Sequence, residues 1–194
     1  MIAAVAERGY ADTRVVDVIS AAKVSRKTFY ELFSDKEECF LEAYDYIIGR
    51  LYSETAAAYE ANGGSWPERV RAGLGRLLAE MAESPEAARF TIIEVLAAGP
   101  KAVTRRDAAM RQFTQFIDAG RAESKIDLPG ITSLAVVGGI YELLYSEILH
   151  GATAQLPSRL PEIIYWVTQP FLGTERADAE REATRVALAE SAAA

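Results

Sequence analysis

Cysteine and histidine are almost absent from this 194-residue sequence, which contains one of each, Cys39 and His150. A single cysteine excludes an internal disulfide and a cysteine-rich zinc site, and a single histidine leaves few ligands for a transition metal. The sequence also lacks a phosphate-binding glycine loop and the Gly-x-Ser-x-Gly motif of hydrolases. We therefore expect no metal, no cofactor and no enzymatic activity.

Long apolar runs are missing as well. The longest uncharged apolar stretch covers residues 128–141, which is shorter than the roughly 20 residues that span a bilayer. The segment from Met1 to Ala6 has neither a basic region nor a long apolar one, so we expect no signal peptide. Half of the residues are hydrophobic, enough for a substantial core. The sequence thus predicts a cytoplasmic protein without a membrane partner.

Positive charge is in the minority overall but is concentrated in one place. The chain has 28 acidic and 21 basic residues, a net charge of −7. Between positions 23 and 36 the balance is reversed. There Lys23, Arg26, Lys27 and Lys36 outnumber Glu31 and Asp35. Because nucleic-acid binding depends on where the charge lies, the acidic total does not exclude it.

Apolar residues recur at helical intervals along nearly the whole chain, which predicts an all-α fold of about nine helices. We expect the first helix to end at Gly9, Thr13 to cap the second and Ser25 the third. The clearest break is at residues 62–65, Asn-Gly-Gly-Ser. We predict a helix-turn-helix unit at 1–50 and a helical body at 51–194, in which residues 174–194 form a frayed or disordered tail.

The segment from Thr13 to Lys36 has the spacing of a helix-turn-helix, because a capped helix, a short turn and a second short helix follow one another. Arg26 and Lys27 would lie on the first exposed turn of the second helix, where they could donate to guanine O6 and N7. Tyr30 and Lys36 could contact phosphates. The alternative is that two amphipathic helices simply pack together and carry solvated charges.

Four short motifs in the first 50 residues resemble the DNA-binding signature of the tetracycline-repressor (TetR) family of bacterial regulators. The motifs are Ala6–Tyr10, Thr13–Asp17, Val24–Phe33 and Asp35–Glu38. The resemblance implies a homodimeric transcriptional regulator, usually a repressor, whose C-terminal helices enclose an effector pocket and pair through the last two long helices. It also implies that Arg26, Lys27 and Thr28 face bases, whereas Tyr30 and Lys36 face the DNA backbone.

The expected DNA-binding set combines these two arguments. It consists of Thr13, Lys23, Ser25, Arg26, Lys27, Thr28, Tyr30 and Lys36.

Three features depart from the family pattern. Lys23 occupies a turn position that is usually glycine, Val16 replaces a common arginine, and the basic arm that precedes the first helix in many relatives is missing.

The segment from Ile131 to His150 is apolar nearly all the way round, so one core face cannot cover it and a second copy of the chain could. The alternative is a central helix buried within a monomer. The residues expected at a dimer interface are Ile131, Val137, Gly138, Ile148, Trp166 and Phe171.

Aromatic and apolar side chains of the body could line a pocket for a small apolar or amphipathic effector, although such residues more often form plain core. The expected pocket residues are Met81, Phe90, Ile93, Phe113, Phe116, Tyr141 and Tyr145. Glu94 and Glu142 could anchor a ligand or reach solvent. Cys39 is expected to be a small helix residue, with redox sensing as the less favoured alternative.

These features favour a dimeric repressor that binds a pseudo-palindromic double-stranded DNA operator and is released by an effector. The alternative is a dimeric helical interaction protein that has lost operator binding.

Overall fold

The computed structural model describes residues 1–193, and these form helices without any strand. The expected all-α fold is confirmed. The elements are α1 (Ile2–Asp12), α2 (Val15–Ala22), α3 (Arg26–Leu32), α4 (Lys36–Ala61), α5 (Trp66–Glu83), α6 (Pro85–Arg89), a π-helical segment (Phe90–Glu94), α7 (Val95–Ala97), α8 (Pro100–Asp118), a 3-10 segment (Ala119–Glu123), α9 (Thr132–Leu149), a second 3-10 segment (Thr153–Arg159), α10 (Leu160–Leu172) and α11 (Thr174–Ala193).

The N-terminal unit, α1 to α3 with the start of α4, has a small core of its own. Ala4, Val18, Phe29 and Cys39 are buried together, so each of the four helices contributes one side chain. Gly9 interrupts α1 with φ 75° and ψ 161°, a conformation that glycine adopts without a Cβ clash. This break allows the end of α1 to turn onto α4.

The body is organised around α4, which continues through residue 50 to Ala61 and so belongs to both units. Its buried side chains include Phe40, Tyr44, Ile47 and Leu51, an i, i+4, i+7, i+11 row that lies on one face of a helix. They pack against α5, α8 and the π-helical segment. The predicted loop at 62–65 separates α4 from α5, which begins with a capping box of Ser65 and Glu68 and carries Pro67 in its first turn.

Two regions differ from the sequence-based expectation. Residues 85–97 have the apolar spacing of one continuous helix, but the structure divides them into α6, the π-helical segment and α7. The predicted tail is the regular helix α11 up to Ala193, and it packs on α10 with Ala177 and Thr184 buried. Arg71 on α5 also pairs with Glu180 of α11 at 2.6 Å. Residue 194 lies outside the described residues.

The helix α9 has one buried face and one exposed face. Ser133, Val137, Leu144 and Ile148 are turned into the protein, whereas Ile131 is 66% exposed. Within residues 1–193, α9 is the one helix whose length and composition would suffice to cross a membrane. A single helix of this kind is weak evidence, because helices that pack inside soluble proteins have the same properties.

Lys23 ends α2 in the left-handed conformation, with φ 55° and ψ 39°. Replacing Lys23 with Gly removes the Cβ clash, so we expect the free energy of unfolding to rise by about 0.5–1 kcal/mol. Urea denaturation measures it. Ala21→Gly, two residues earlier in α2, is the matched control and should lower stability by a similar amount. If Lys23→Gly lowered the free energy of unfolding as much as Ala21→Gly, backbone strain at Lys23 would be refuted.

Candidate nucleic-acid interface and ligand cavity

The position of α3 is fixed from beneath by Phe29, which is 2% exposed and packs against Phe33 with ring centroids 5.5 Å apart. With this side of α3 turned inward, Arg26 and Lys27 lie exposed on its first turn. The helix therefore presents two cations at its amino-terminal end, which is the end that contacts base edges in helix-turn-helix proteins.

The two cations are held only loosely by the protein. The guanidinium of Arg26 lies 5.6 Å from the ring centroid of Tyr30, which is itself 46% exposed. Lys27 and Glu31 approach to 3.7 Å, but both side chains are mostly in solvent, where such a pair contributes little. Lys23 is exposed beside them. The side chains of Arg26 and Lys27 can therefore reorient toward a duplex without losing a buried contact.

Ser25 caps α3 as predicted. Its Oγ accepts a hydrogen bond from the amide of Thr28 at 3.0 Å, and the two hydroxyls lie 2.9 Å apart. This pairing satisfies the start of a seven-residue helix and engages both hydroxyl groups with each other. The first role of Ser25 and Thr28 is thus to hold the amino-terminal turn of α3 in place.

Thr13 was expected to cap α2 and to contact DNA, and the structure contradicts both roles. Arg14 is the N-cap residue instead. Thr13 is 1% exposed, and its Oγ1 donates to the carbonyl oxygens of Ala4 and Gly9. Because its side chain is buried under α1, it has no path to a duplex.

Lys36 was expected to contact a phosphate, which stays a prediction; in the structure most of its ammonium is engaged within the protein. Its Nζ donates to the carbonyl oxygens of Tyr10 and Thr13, each at 2.8 Å, and lies 4.1 Å from the centre of the Tyr10 ring. Two of its three donors are thereby used within the protein. Lys36 clamps the end of α1 to the start of α4.

Arg14 was missed by the sequence argument, although its side chain is 73% exposed at the start of α2. Its amide donates to Asp17 at 2.8 Å, and this hydrogen bond lowers the pKa of the Asp17 carboxyl. Its guanidinium Nε also pairs with the Asp17 carboxylate at 3.4 Å, but most of the Arg14 side chain lies in solvent, where such a pair contributes little. A basic residue at the start of the first helix of a helix-turn-helix is the signal that could have identified it, because that helix crosses the DNA backbone.

An apolar cavity of about 100 Å³ lies in the body between α4, α5, α8, α9 and the π-helical segment. Four of the predicted pocket residues line it: Met81, Phe113, Phe116 and Tyr141. The lining also includes Tyr44, Tyr59, Thr91, Ile92, Arg106 and Met110.

Three predicted pocket residues lie elsewhere. Phe90 is 1% exposed and stacks on Phe40, with ring centroids 4.2 Å apart, so it belongs to the solid core. Ile93 and Tyr145 pack against that core without lining the cavity. Sequence periodicity identifies the buried face of a helix but does not distinguish a filled core from a cavity.

The π-helical segment connects this cavity with the N-terminal unit. On one side, Tyr141 donates its hydroxyl to the carbonyl oxygen of Ile92 at 2.7 Å. On the other, Glu94 accepts the amide of Tyr10 at 2.8 Å and pairs with Arg89 at 3.2 Å. Glu94 is 6% exposed, so it neither reaches solvent nor lines the cavity. It ties α1 to the wall of the cavity.

Cys39 is buried in the small N-terminal core, and burial raises the pKa of its thiol. A protonated, inaccessible thiol is a poor nucleophile. Its place in the core agrees with the simpler expectation of a small helix residue.

An apolar surface runs along α9 and α10 on the side away from the core. Ile131 and Trp166 are each 66% exposed there, and Leu134 is 39% exposed. Gly138, also expected at the interface, is partly buried. Val137, Ile148 and Phe171 belong instead to the core at 9%, 4% and 3% exposure, so their assignment to an intersubunit contact is wrong.

A helix-turn-helix with a basic exposed turn, joined to a larger helical body that contains a cavity, defines a DNA-binding transcriptional regulator. Residues 2–43 match the family described as "Bacterial regulatory proteins, tetR family". This match covers α1 to α3 and the start of α4. No curated protein matches the sequence.

Two solved structures share the fold. One is described as the fatty acid degradation regulator FadR from Bacillus halodurans, at 14% identity and a TM-score of 0.76. The other is described as a bacterial regulatory protein in the tetR family from Rhodococcus RHA1, at 17% identity and a TM-score of 0.67. Each comparison covers 86% of this chain and 92% of the other.

Replacing Lys36 with Met removes the ammonium that satisfies the carbonyls of Tyr10 and Thr13. We expect this to lower the free energy of unfolding by about 2 kcal/mol, since the partly buried carbonyl of Thr13 loses its partner and that of Tyr10 keeps only the amide of Thr13. Thermal or urea denaturation measures the change. Lys101→Met removes an exposed ion pair with Glu37 and should leave the midpoint nearly unchanged. If the two variants were equally stable, the clamp would be refuted.

Proposed function

We propose that this protein is a cytoplasmic, homodimeric repressor that binds a pseudo-palindromic operator and releases it when a small apolar or amphipathic effector enters the cavity. The observation that carries the proposal is the placement of α3. Phe29 fixes the helix from below, while Arg26 and Lys27 extend from its exposed amino-terminal turn. We propose no enzymatic role.

In the proposed complex, α3 lies in the major groove. Arg26 donates to base edges, Lys27 and Thr28 lie beside it, and Lys23, Tyr30 and Arg14 contact phosphates. Arg14 and Lys23 precede α3 on the exposed side of the unit. Arg14 and Lys23 give two cationic phosphate contacts per protomer, so we expect binding to weaken moderately as salt rises, because each contact releases about one counterion.

Dimerisation is supported by the apolar surface on α9 and α10. A tryptophan, an isoleucine and a leucine exposed side by side form the kind of surface that a monomer rarely leaves open. Gly139 is exposed in the middle of α9 and would allow another helix to approach closely. Pairing two copies here would present two α3 helices to half-sites about one helical turn apart, roughly 34 Å.

Release by an effector is supported by the size of the cavity and by the connection through Glu94. At about 100 Å³, the cavity is smaller than the roughly 300–1,000 Å³ of typical ligand sites. An effector would therefore have to move its walls. The π-helical segment is one of those walls, and α1 is tied to it, so expansion would move the N-terminal unit and change the spacing of the recognition helices.

The direct test is a mobility-shift titration with the DNA that flanks the protein's own gene. The shifted protein–DNA band should persist in an excess of unrelated duplex and should weaken as the salt concentration increases. Binding that unrelated duplex removes equally well would refute operator recognition.

Arg26→Ala should weaken binding to the operator by about ten- to a hundredfold and reduce the preference for operator over mutated sites, because one bidentate base contact is lost. Competition mobility shifts with the two duplexes measure both quantities. Arg185→Ala removes an exposed arginine on α11, which pairs with Glu182, and should bind as the wild type does. An unchanged preference in Arg26→Ala would contradict the assigned base contact.

Trp166→Asp should raise the dimer dissociation constant by about thirtyfold or more, since it places a charge in an apolar contact where a central aromatic contributes strongly. Sedimentation velocity across a concentration series measures it. The control is Val186→Asp, at a residue of α11 that is 47% exposed, and should leave the dimer intact. A wild-type monomer at every concentration, or a dimer as stable in Trp166→Asp as in the control, would overturn the interface.

A further inference from the structure

We propose that the effector is an amphipath with an anionic head group, and that the Arg106 guanidinium binds this head group. The inference rests on the proposed effector site and adds the chemistry of its ligand. It depends on the charge, hydrogen bonding and position of Arg106 within the cavity wall.

Arg106 differs from every other cavity-lining residue that the structure describes, because it alone carries a formal charge. The remaining lining is aliphatic, aromatic, methionine or threonine, apart from one glycine. The Arg106 side chain is 24% exposed and is paired with Asp107, and a partly buried cation beside an apolar cavity gains from a further anionic partner. One charged group on an apolar wall is the usual way in which a binding site fixes the orientation of an amphipathic ligand.

The hydrogen bonds of Arg106 are incomplete. Its Nη1 donates to Asp107 at 2.7 Å, while its Nε is buried without a partner. The guanidinium carbon lies 4.6 Å from the centre of the Tyr141 ring, which holds the plane of the group against the cavity wall. A guanidinium can donate through Nε and a terminal nitrogen to the two oxygens of one carboxylate, and this Nε donor is unused.

Two of the polar residues that line the cavity, Tyr44 and Tyr141, interact with Arg106. Tyr44 on α4 and Tyr141 on α9 influence each other and Arg106 electrostatically, and burial raises the pKa of both phenols. Both phenols therefore stay neutral. The Tyr44 hydroxyl can donate to an anion, whereas the single donor of Tyr141 is used by the carbonyl oxygen of Ile92. From Arg106, the lining residues of α8 continue to Ile117, a span of about 16 Å at about 1.5 Å per residue.

The far part of this span is apolar except for Tyr59, which packs on Phe116 and whose hydroxyl is buried without a hydrogen-bond partner. Phe113, Phe116 and Ile117 line it from α8, and Leu74 and Leu77 from α5. Met81 and Met110 also face the cavity, and their flexible side chains can rearrange around an alkyl chain. The wall thus offers a cation at one end and an adaptable apolar surface beyond it, which is complementary to an alkyl carboxylate.

Calorimetric titration of the full chain without DNA tests the inference with three probes that share one tail: decanoate, decan-1-ol and decylammonium. The wild type should bind decanoate at least about tenfold more tightly than either of the others, because one charge-assisted pair is gained. Arg106→Gln should bind decanoate no more tightly than decan-1-ol. Arg105→Gln is the matched control, since the neighbouring Arg105 pairs with Asp45 outside the cavity lining, and it should keep the wild-type preference.

Arg106→Lys keeps the charge without the planar pair of donors. It should retain a weaker preference for decanoate, which provides the test if Arg106→Gln does not fold. Equal affinity of the wild type for decanoate and decan-1-ol, a preference that survives in Arg106→Gln, or no binding of any probe would overturn the inference. Because no DNA is present, failure of operator binding leaves this result unaffected, and loss of the head-group preference leaves operator binding unaffected.

Discussion

The structure depends on how the end of α1 is held. Gly9 breaks the helix, and the partly buried backbone groups that follow find partners on two other elements. Glu94 of the π-helical segment accepts the amide of Tyr10, and Lys36 of α4 donates to the carbonyls of Tyr10 and Thr13. Buried backbone groups without partners would be costly. These bonds therefore fix the small unit that carries α3 relative to the body.

The same bonds give the cavity a route to the N-terminal unit. The carbonyl of Ile92 accepts the hydroxyl of Tyr141 inside the cavity wall, and Glu94, two residues later, holds α1. A π-helical turn has weaker local geometry than an α-helix and often occurs at functional sites. The π-helical segment forms part of the cavity wall and also holds α1. It can therefore convert an expansion of the cavity into a reorientation of the N-terminal unit, provided that the two arrangements of that unit differ by a few kcal/mol.

Local rules were sufficient to predict much of this fold from the sequence. The Ser25 and Ser65 caps, the loop at 62–65 and the inward position of Phe29 follow from spacing and capping chemistry. Tertiary partners were not predictable. Thr13 and Lys36 have the residue types of a cap and a phosphate ligand, but the carbonyls left free by the break at Gly9 engage both. Similarly, Val137 and Phe171 lie on apolar helices, and only the packed structure shows which face of each helix is covered.

The central claim is that two copies of α3 enter successive major grooves of one duplex. Protection of guanine N7 from methylation on the operator measures this directly, because N7 lies in the major groove. The account predicts two clusters of protected guanines about one helical turn apart, both lost in Arg26→Ala. A single cluster, protection that Arg26→Ala leaves unchanged, or no protection on bound DNA would contradict it.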